Sequence, residues 1–210
     1  EGTEHLGGHY FQQQRRHELA LMQQKLGREE ALADTHRAIV EAEDGAEATG
    51  QSARLASTSA LWRGRRATDG FEQIELGAPL EQSLARKRDA LAQALDWFRQ
   101  AEQFGIAATA TESTYRMAEL YRQLAQDVMN SERPQGLTDR QASQYEMLLE
   151  EEAYPFEEKA IELHQRNQER IPEGHWTGWV SRSLESLADL FPARYERDLQ
   201  WTEARYEAAR

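Results

Sequence analysis

The chain has 210 residues, 39% of them apolar and 30% charged, and 37 acidic against 25 basic side chains leave a net charge of −12. That charge argues against nucleic acid or anionic lipid as a partner drawn by long-range attraction, and favours a basic protein surface. The absence of cysteine excludes disulfides and thiol chemistry, and there is no apolar run of the ~18 residues that a direct membrane span needs.

Helical spacing dominates from the start. Phe11, Leu19, Met22 and Leu26 predict a first helix from Tyr10 to Leu26, stopped by Gly27. Leu32, His36, Ile39 and Val40 form one stripe of a second, from Arg28 to Glu43. After the polar break Glu43 to Gly50, a third covers Gln51 to Arg66, with Leu55, Ala56 and Trp62 available for packing. From Thr68 to Pro79 the pattern changes. Phe71, Ile74 and Leu76 lose the helical repeat among Gly70, Gly77 and Pro79. We therefore expect helical hairpins over residues 1–70 and a connector over 71–79, followed by one continuous helical array over 80–210.

Pro79 suits a helix start, because its missing N–H costs nothing there. The fourth helix then runs to Phe104 on a stripe of Leu84, Leu91, Leu95 and Phe98, and Gly105 ends it. A fifth runs from Thr111 to Asn130, capped by Thr111 or Ser113, with Met117, Ala118, Tyr121, Leu124, Ala125 and Val128 inward. Ser131 to Leu137 is a loop, and a sixth helix opens at Thr138 with Ala142, Tyr145, Leu148 and Leu149.

Pro155 sits in the densely acidic stretch Leu148 to Asn167. A proline inside a helix costs about 3 kcal/mol. The sixth helix is accordingly expected to end near Ala153 and a seventh to run from Pro155 to Arg170. Glu157 and Glu158 would then enjoy the dipole of a first turn, whereas Glu150, Glu151 and Glu152 in a last turn would need a basic neighbour. An eighth helix carries Trp176, Trp179, Val180, Leu184, Leu187 and Ala188. A ninth starts at Pro192 with Tyr195, Leu199, Thr202 and Tyr206 on one side.

About nine helices with short loops predict an all-α fold of stacked antiparallel hairpins, a tetratricopeptide-like α-solenoid. An internal echo points the same way. Ala118 and Tyr121 match Ala188 and Phe191 seventy residues on, about twice the 34-residue tetratricopeptide period. Ala153 and Phe156 fall midway, but a helix start at Pro155 would deny them the same mid-helix position.

The segments Leu80 to Lys87, Asn130 to Pro134, Tyr145 to Glu152 and Pro155 to His164 resemble the C-terminal part of large proteobacterial tetratricopeptide proteins. Those are associated with gliding motility and with Tol- or TonB-like systems. The resemblance spans Leu80 to Arg197, and the first seventy residues match only as generic helices. It implies a periplasmic scaffold that works through protein contacts and carries no catalytic residues. The cysteine-free composition suits a reducing cytosol equally well. The sequence begins at Glu1 without a leader-like stretch, so we expect a trimmed or processed piece of a longer protein.

Catalytic and metal patterns are lacking. A carboxylate di-metal bundle needs Glu three residues before His, and those positions hold Gly2, Leu6, Gln14, Ala33, Ile161 and Pro172. His5 and His9 are four apart but separated by Gly7 and Gly8. His36 and His164 read as packing residues. No nucleophile elbow, phosphate loop or dinucleotide fingerprint occurs. The basic clusters Arg63 to Arg66 and Arg86 to Arg88 read as a solvated face paired with nearby carboxylates. We expect no cofactor, no metal and no enzyme. The candidate partner site combines Glu150, Glu151, Tyr154, Glu157, Trp176 and Trp179, an aromatic anchor with an acidic rim for a basic segment of a protein partner. Self-association through terminal helices is the alternative.

Overall fold

The computed structural model describes residues 2–43 and 48–191, with side chains from residue 8 onward. Those residues are all-α, with no strand. Seven helices follow in chain order: α1 (Gly2–Lys25), α2 (Glu29–Glu43), α3 (Gly50–Glu72), α4 (Leu80–Gln103), α5 (Ala107–Met129), α6 (Asp139–Glu169) and α7 (Gly178–Leu190). Each packs on the next, and α1 meets α3, α3 meets α5 and α5 meets α7. Among the described residues the backbones of α2, α4 and α6 stay apart, and α4 and α6 meet through long side chains such as Arg88 and Arg166. The odd helices therefore form one layer and the even helices another, with α1 at one end and α6 and α7 at the other. The helix expected from Pro192 lies outside the described residues.

The best-formed stripe is the one that spacing alone identifies. Leu84, Leu91, Leu95 and Phe98 of α4 are all buried, facing Ala60, Leu61, Leu120 and Leu124 among others. Gly27 (φ +65°) and Gly105 (φ +70°) end α1 and α4 in the left-handed conformation that other residues resist. Thr138 and Gln141 form the capping box that opens α6, and Thr49 with Ser52 forms another on α3.

α1 opens at Gly2, well before the expected Tyr10, and four further features differ from the sequence reading. First, α3 continues six residues past Arg66 to Glu72, because Phe71 is fully buried on the α4 side of the core and holds the last turn in place. The connector shrinks to residues 73–79, where the Ala78–Pro79 bond is cis and Pro79 is the N-cap rather than the first helical residue. Second, α5 starts at Ala107. Thr111 and Ser113 are buried inside it, and Thr111 returns its hydroxyl to the Ala107 carbonyl at 2.9 Å instead of capping.

Third, α6 is unbroken through Pro155, so the sixth and seventh expected helices are one and there is no acidic corner. Pro155, Tyr154 and Glu151 lie on the exposed side of α6, where water can take up the Glu151 carbonyl that loses its N–H partner. Leu149 and Ala153 before the proline and Ala160, Leu163, His164 and Asn167 after it are all buried. Each buried leucine is worth about 1.5–3 kcal/mol, so keeping both sets seated outweighs the local penalty. Substituting Pro155→Ala should raise stability by about 2 kcal/mol, the helix penalty less the chain entropy that proline removes from the unfolded state. Thermal unfolding should shift upward by about 5 °C. A downward shift would mean that α5 requires the proline in α6.

Fourth, continuity restores the midway echo. Ala153 is buried in mid-helix and Phe156 packs against the core, as Ala118 and Tyr121 do in α5. The echo does not extend to α7, where Ala188 is half-buried and Phe191, just past the helix end, is exposed. A tetratricopeptide unit fits two helices into 34 residues, whereas α3 to α6 are 23, 24, 23 and 31 residues long.

Candidate functional site

α6 is about 46 Å long, and its first buried residue is Leu149. Met147, Glu151, Tyr154 and Glu158 recur at intervals of four, three and four, so they share one outward stripe. Met147, Leu148 and Tyr154 are each about three-fifths exposed. The Tyr154 hydroxyl donates to Glu158 Oε1 at 2.7 Å, and this bond to the carboxylate pushes the phenol pKa up.

Two neighbouring acids are already matched. Arg133 forks onto Glu146, with both oxygens at 2.9 Å, which holds that carboxyl below the usual range. Arg88 of α4 pairs with Glu152 while its guanidinium lies over the Phe156 ring at 5.2 Å. The basic neighbour expected near Glu150 to Glu152 thus exists, although these residues lie in mid-helix rather than at a helix end. Glu150, Glu151 and Glu157 are exposed and have no cationic partner among the described residues.

Trp176 and Trp179 do not join this ridge. They lie at the far end of α6, where Asn167 bonds both the Thr111 carbonyl and the Ser183 hydroxyl at 2.9 Å, and Thr177 donates to the Thr111 hydroxyl at 3.0 Å. Glu150 and Asn167 are about 25 Å apart along the axis. Trp176 is exposed just before α7. Trp179 contacts the Tyr115 ring and is flanked by the guanidinium groups of Arg116 and Arg182, so its rim is basic. Glu150, Glu151, Tyr154 and Glu157 share one surface, and the two tryptophans belong to another.

The opposite end of the molecule carries a surface that spacing shows but does not orient. An apolar stripe is ordinarily a core face, yet Phe11, Leu19, Met22 and Leu26 are all exposed. The inward side of α1 is polar. Gln13 is fully buried, donating to the Ile39 carbonyl at 2.9 Å and to Glu43 at 3.0 Å, and His9 meets the same Glu43 oxygen at 2.8 Å. Ser52 donates to the other oxygen at 2.6 Å. Burial would raise the Glu43 carboxyl, but the bonds from Ser52, His9 and Gln13 outweigh it and hold it below the usual range.

The remaining charge clusters are structural. Arg65 binds Glu112, Arg63 lies over Trp97 at 4.7 Å, and buried Lys87 pairs with Asp127 at 2.6 Å. His36 is buried, stacked on Trp62, and burial lowers its pKa to about 4. Fully buried His164 lies 3.2 Å from Glu119, to which Ser186 also donates at 3.1 Å. That serine addresses the carboxylate rather than the imidazole, so the trio lacks the nucleophile–base bond that a hydrolytic site uses. Among the described residues no three His, Asp or Glu side chains converge to hold a metal ion, and no helix is long and apolar enough to cross a membrane. Comparison with family models, curated proteins and solved structures found no match.

Proposed function

We propose that this chain is a non-enzymatic protein-interaction module, an α-solenoid of long stacked hairpins whose α6 ridge receives a basic segment of a partner. The layer plan supports the solenoid reading. Consecutive contacts plus contacts along the odd layer are what stacked hairpins produce. It is tetratricopeptide-like in packing order, with α3 to α6 longer than the helices of a 34-residue unit. The observation that carries the docking role is the ridge itself, where unpaired Glu150, Glu151 and Glu157 frame exposed Met147, Leu148 and Tyr154. Apolar anchors give affinity and the carboxylates give register and a preference for basic sequences. The net charge of −12 favours the same class of partner and argues against nucleic acid.

Location in the periplasm, within an envelope motor or transport assembly, is supported by the sequence resemblance alone, and a cytoplasmic scaffold is the competing location. Cross-linked purification of the native protein from fractionated cells tests both readings. Partners recovered from the envelope fraction should fall away in a Glu150→Lys, Glu151→Lys, Glu157→Lys variant. An unchanged set of partners would remove the ridge from the account, and recovery only in cytosol would remove the location. A second reading is favoured by the outward stripe of α1: a structural subunit whose terminal helices pack on further copies or on more of its own chain.

A further inference from the structure

We propose that the outward face of α1 and the ridge of α6 are the two halves of one contact, through which copies of this chain join head to tail. The idea deepens the reading of the ridge as a docking surface and rests on it. The occupant is named: α1 of a second copy.

Charge selects this pairing. Between Gly8 and Lys25 the basic residues Arg15, Arg16 and Lys25 face one acid, Glu18, in a chain whose total is strongly negative. Arg15 and Lys25 are exposed and have no carboxylate partner among the described residues. On α6 the exposed Glu150, Glu151 and Glu157 have no cationic partner among the described residues, against one exposed and unpaired cation, Arg140, near the start of the helix. An α1–α1 contact would oppose cations and an α6–α6 contact would oppose carboxylates, each a repulsive arrangement. With one exposed acid, Glu18, between Gly8 and Lys25 of α1 and one exposed and unpaired cation, Arg140, on α6, the crossed pairing is the arrangement that matches most opposite charges.

Apolar placement agrees with charge. Arg15 lies one turn beyond Phe11 on the stripe that continues to Met22 and Leu26, all more than three-fifths exposed. Glu151 lies one turn beyond Met147 and just before Tyr154 on the outward stripe of α6. Each helix thus sets a charge between apolar side chains, so antiparallel or parallel docking buries apolar against apolar around an Arg15–Glu151 pair. Position in the fold permits it. Among the described residues the backbone of α1 lies against α2 and α3, and that of α6 against α5 and α7 with side-chain pairs to α4, at opposite ends of the layered stack. Because the two patches differ, each contact leaves one of each free, and association extends as an open chain.

Sedimentation and light scattering of the full chain over a range of concentration and salt provide the test. The expected mass rises past the dimer with concentration and falls as salt screens the pair. Arg15→Glu and Glu151→Arg should each weaken association about tenfold or more. An equimolar mixture of the two variants should regain growth, since Arg15 meets Glu151 at one junction and the two reversed charges meet at the next. Both substitutions in one chain should restore growth. Circular dichroism of each variant should match the parent, because both residues are exposed. A protein that stays monomeric, association lost in only one single variant, or a mixture that fails to pair would each overturn the proposal. If the parent is monomeric while partner recovery still depends on the ridge carboxylates, only the named occupant falls. If partner recovery is also unchanged by reversal, the docking reading of α6 falls with it.

Discussion

Substituting Phe98→Ala should cost about 3–5 kcal/mol, the range for removing a fully buried aromatic ring, and Gly64→Ala should cost about 2 kcal/mol at a site where alanine would ordinarily help. Phe98 is 0% exposed and closes the α4 stripe. Its ring lies so close to α3 that a Cβ on Gly64 would sit 2.6 Å from Cδ1 and Cε1. In an open helix, glycine to alanine gains about 1 kcal/mol. Here the methyl must displace a packed ring or part the two helices, and overpacking of that kind costs about 1–3 kcal/mol. The two changes are coupled, because the space that Phe98→Ala vacates is the space the new methyl needs. The double variant should therefore be more stable than the sum of the singles by about 1 kcal/mol or more. Urea unfolding of all four proteins decides the matter, and strict additivity would mean that Gly64 and Phe98 do not share one contact.

That same α4 shows what periodicity can reveal. Leu84, Leu91, Leu95 and Phe98 have no rival apolar set on the other side of their helix, so spacing and burial coincide. α1 has a comparable stripe, and spacing predicts the helix correctly but not the direction in which it faces. The inward side is set by Gln13 and His9, whose polar groups find Glu43 across thirty and more residues of chain. Pairings at that separation leave no trace in local pattern. Pro155 is the complementary case. Its local penalty is real, but leucines and alanines on both sides of it dock on α5, and tertiary burial decides the outcome. Gly70 likewise reads as a stop and is passed over because Phe71 beyond it is buried. For the candidate site, the exposed acids of α6 were legible from composition, as was their need for a cation. That Arg88 supplies it, and that Trp176 and Trp179 stand by the far end of α6, follows from how the helices fold back on one another, which no spacing rule contains.

Removing Asp127 should hurt more than removing the lysine it serves. Lys87 is 2% exposed, its ammonium 2.6 Å from Asp127, 2.7 Å from the Ile74 carbonyl and over the Phe71 ring. Asp127 retains about a third of its side-chain exposure. The two partners are therefore unequal. Asp127→Ala leaves a buried ammonium with a carbonyl and a ring as its remaining company, and breaking a buried pair in this way costs about 3 kcal/mol. Lys87→Met keeps an unbranched stem of similar volume against Phe71 and leaves a carboxylate whose Oδ2 is buried but whose side chain stays about a third exposed, so its cost should be the smaller, about 1–2 kcal/mol. Lys87 also ties the connector to α4 through Ile74, so Lys87→Met should speed amide exchange in residues 73–79 even where global stability hardly changes. Urea midpoints at constant slope measure the first comparison. Equal losses in the two variants, or a larger loss on removing the lysine, would mean that the pair matters for the charge of Asp127 and not for the burial of Lys87.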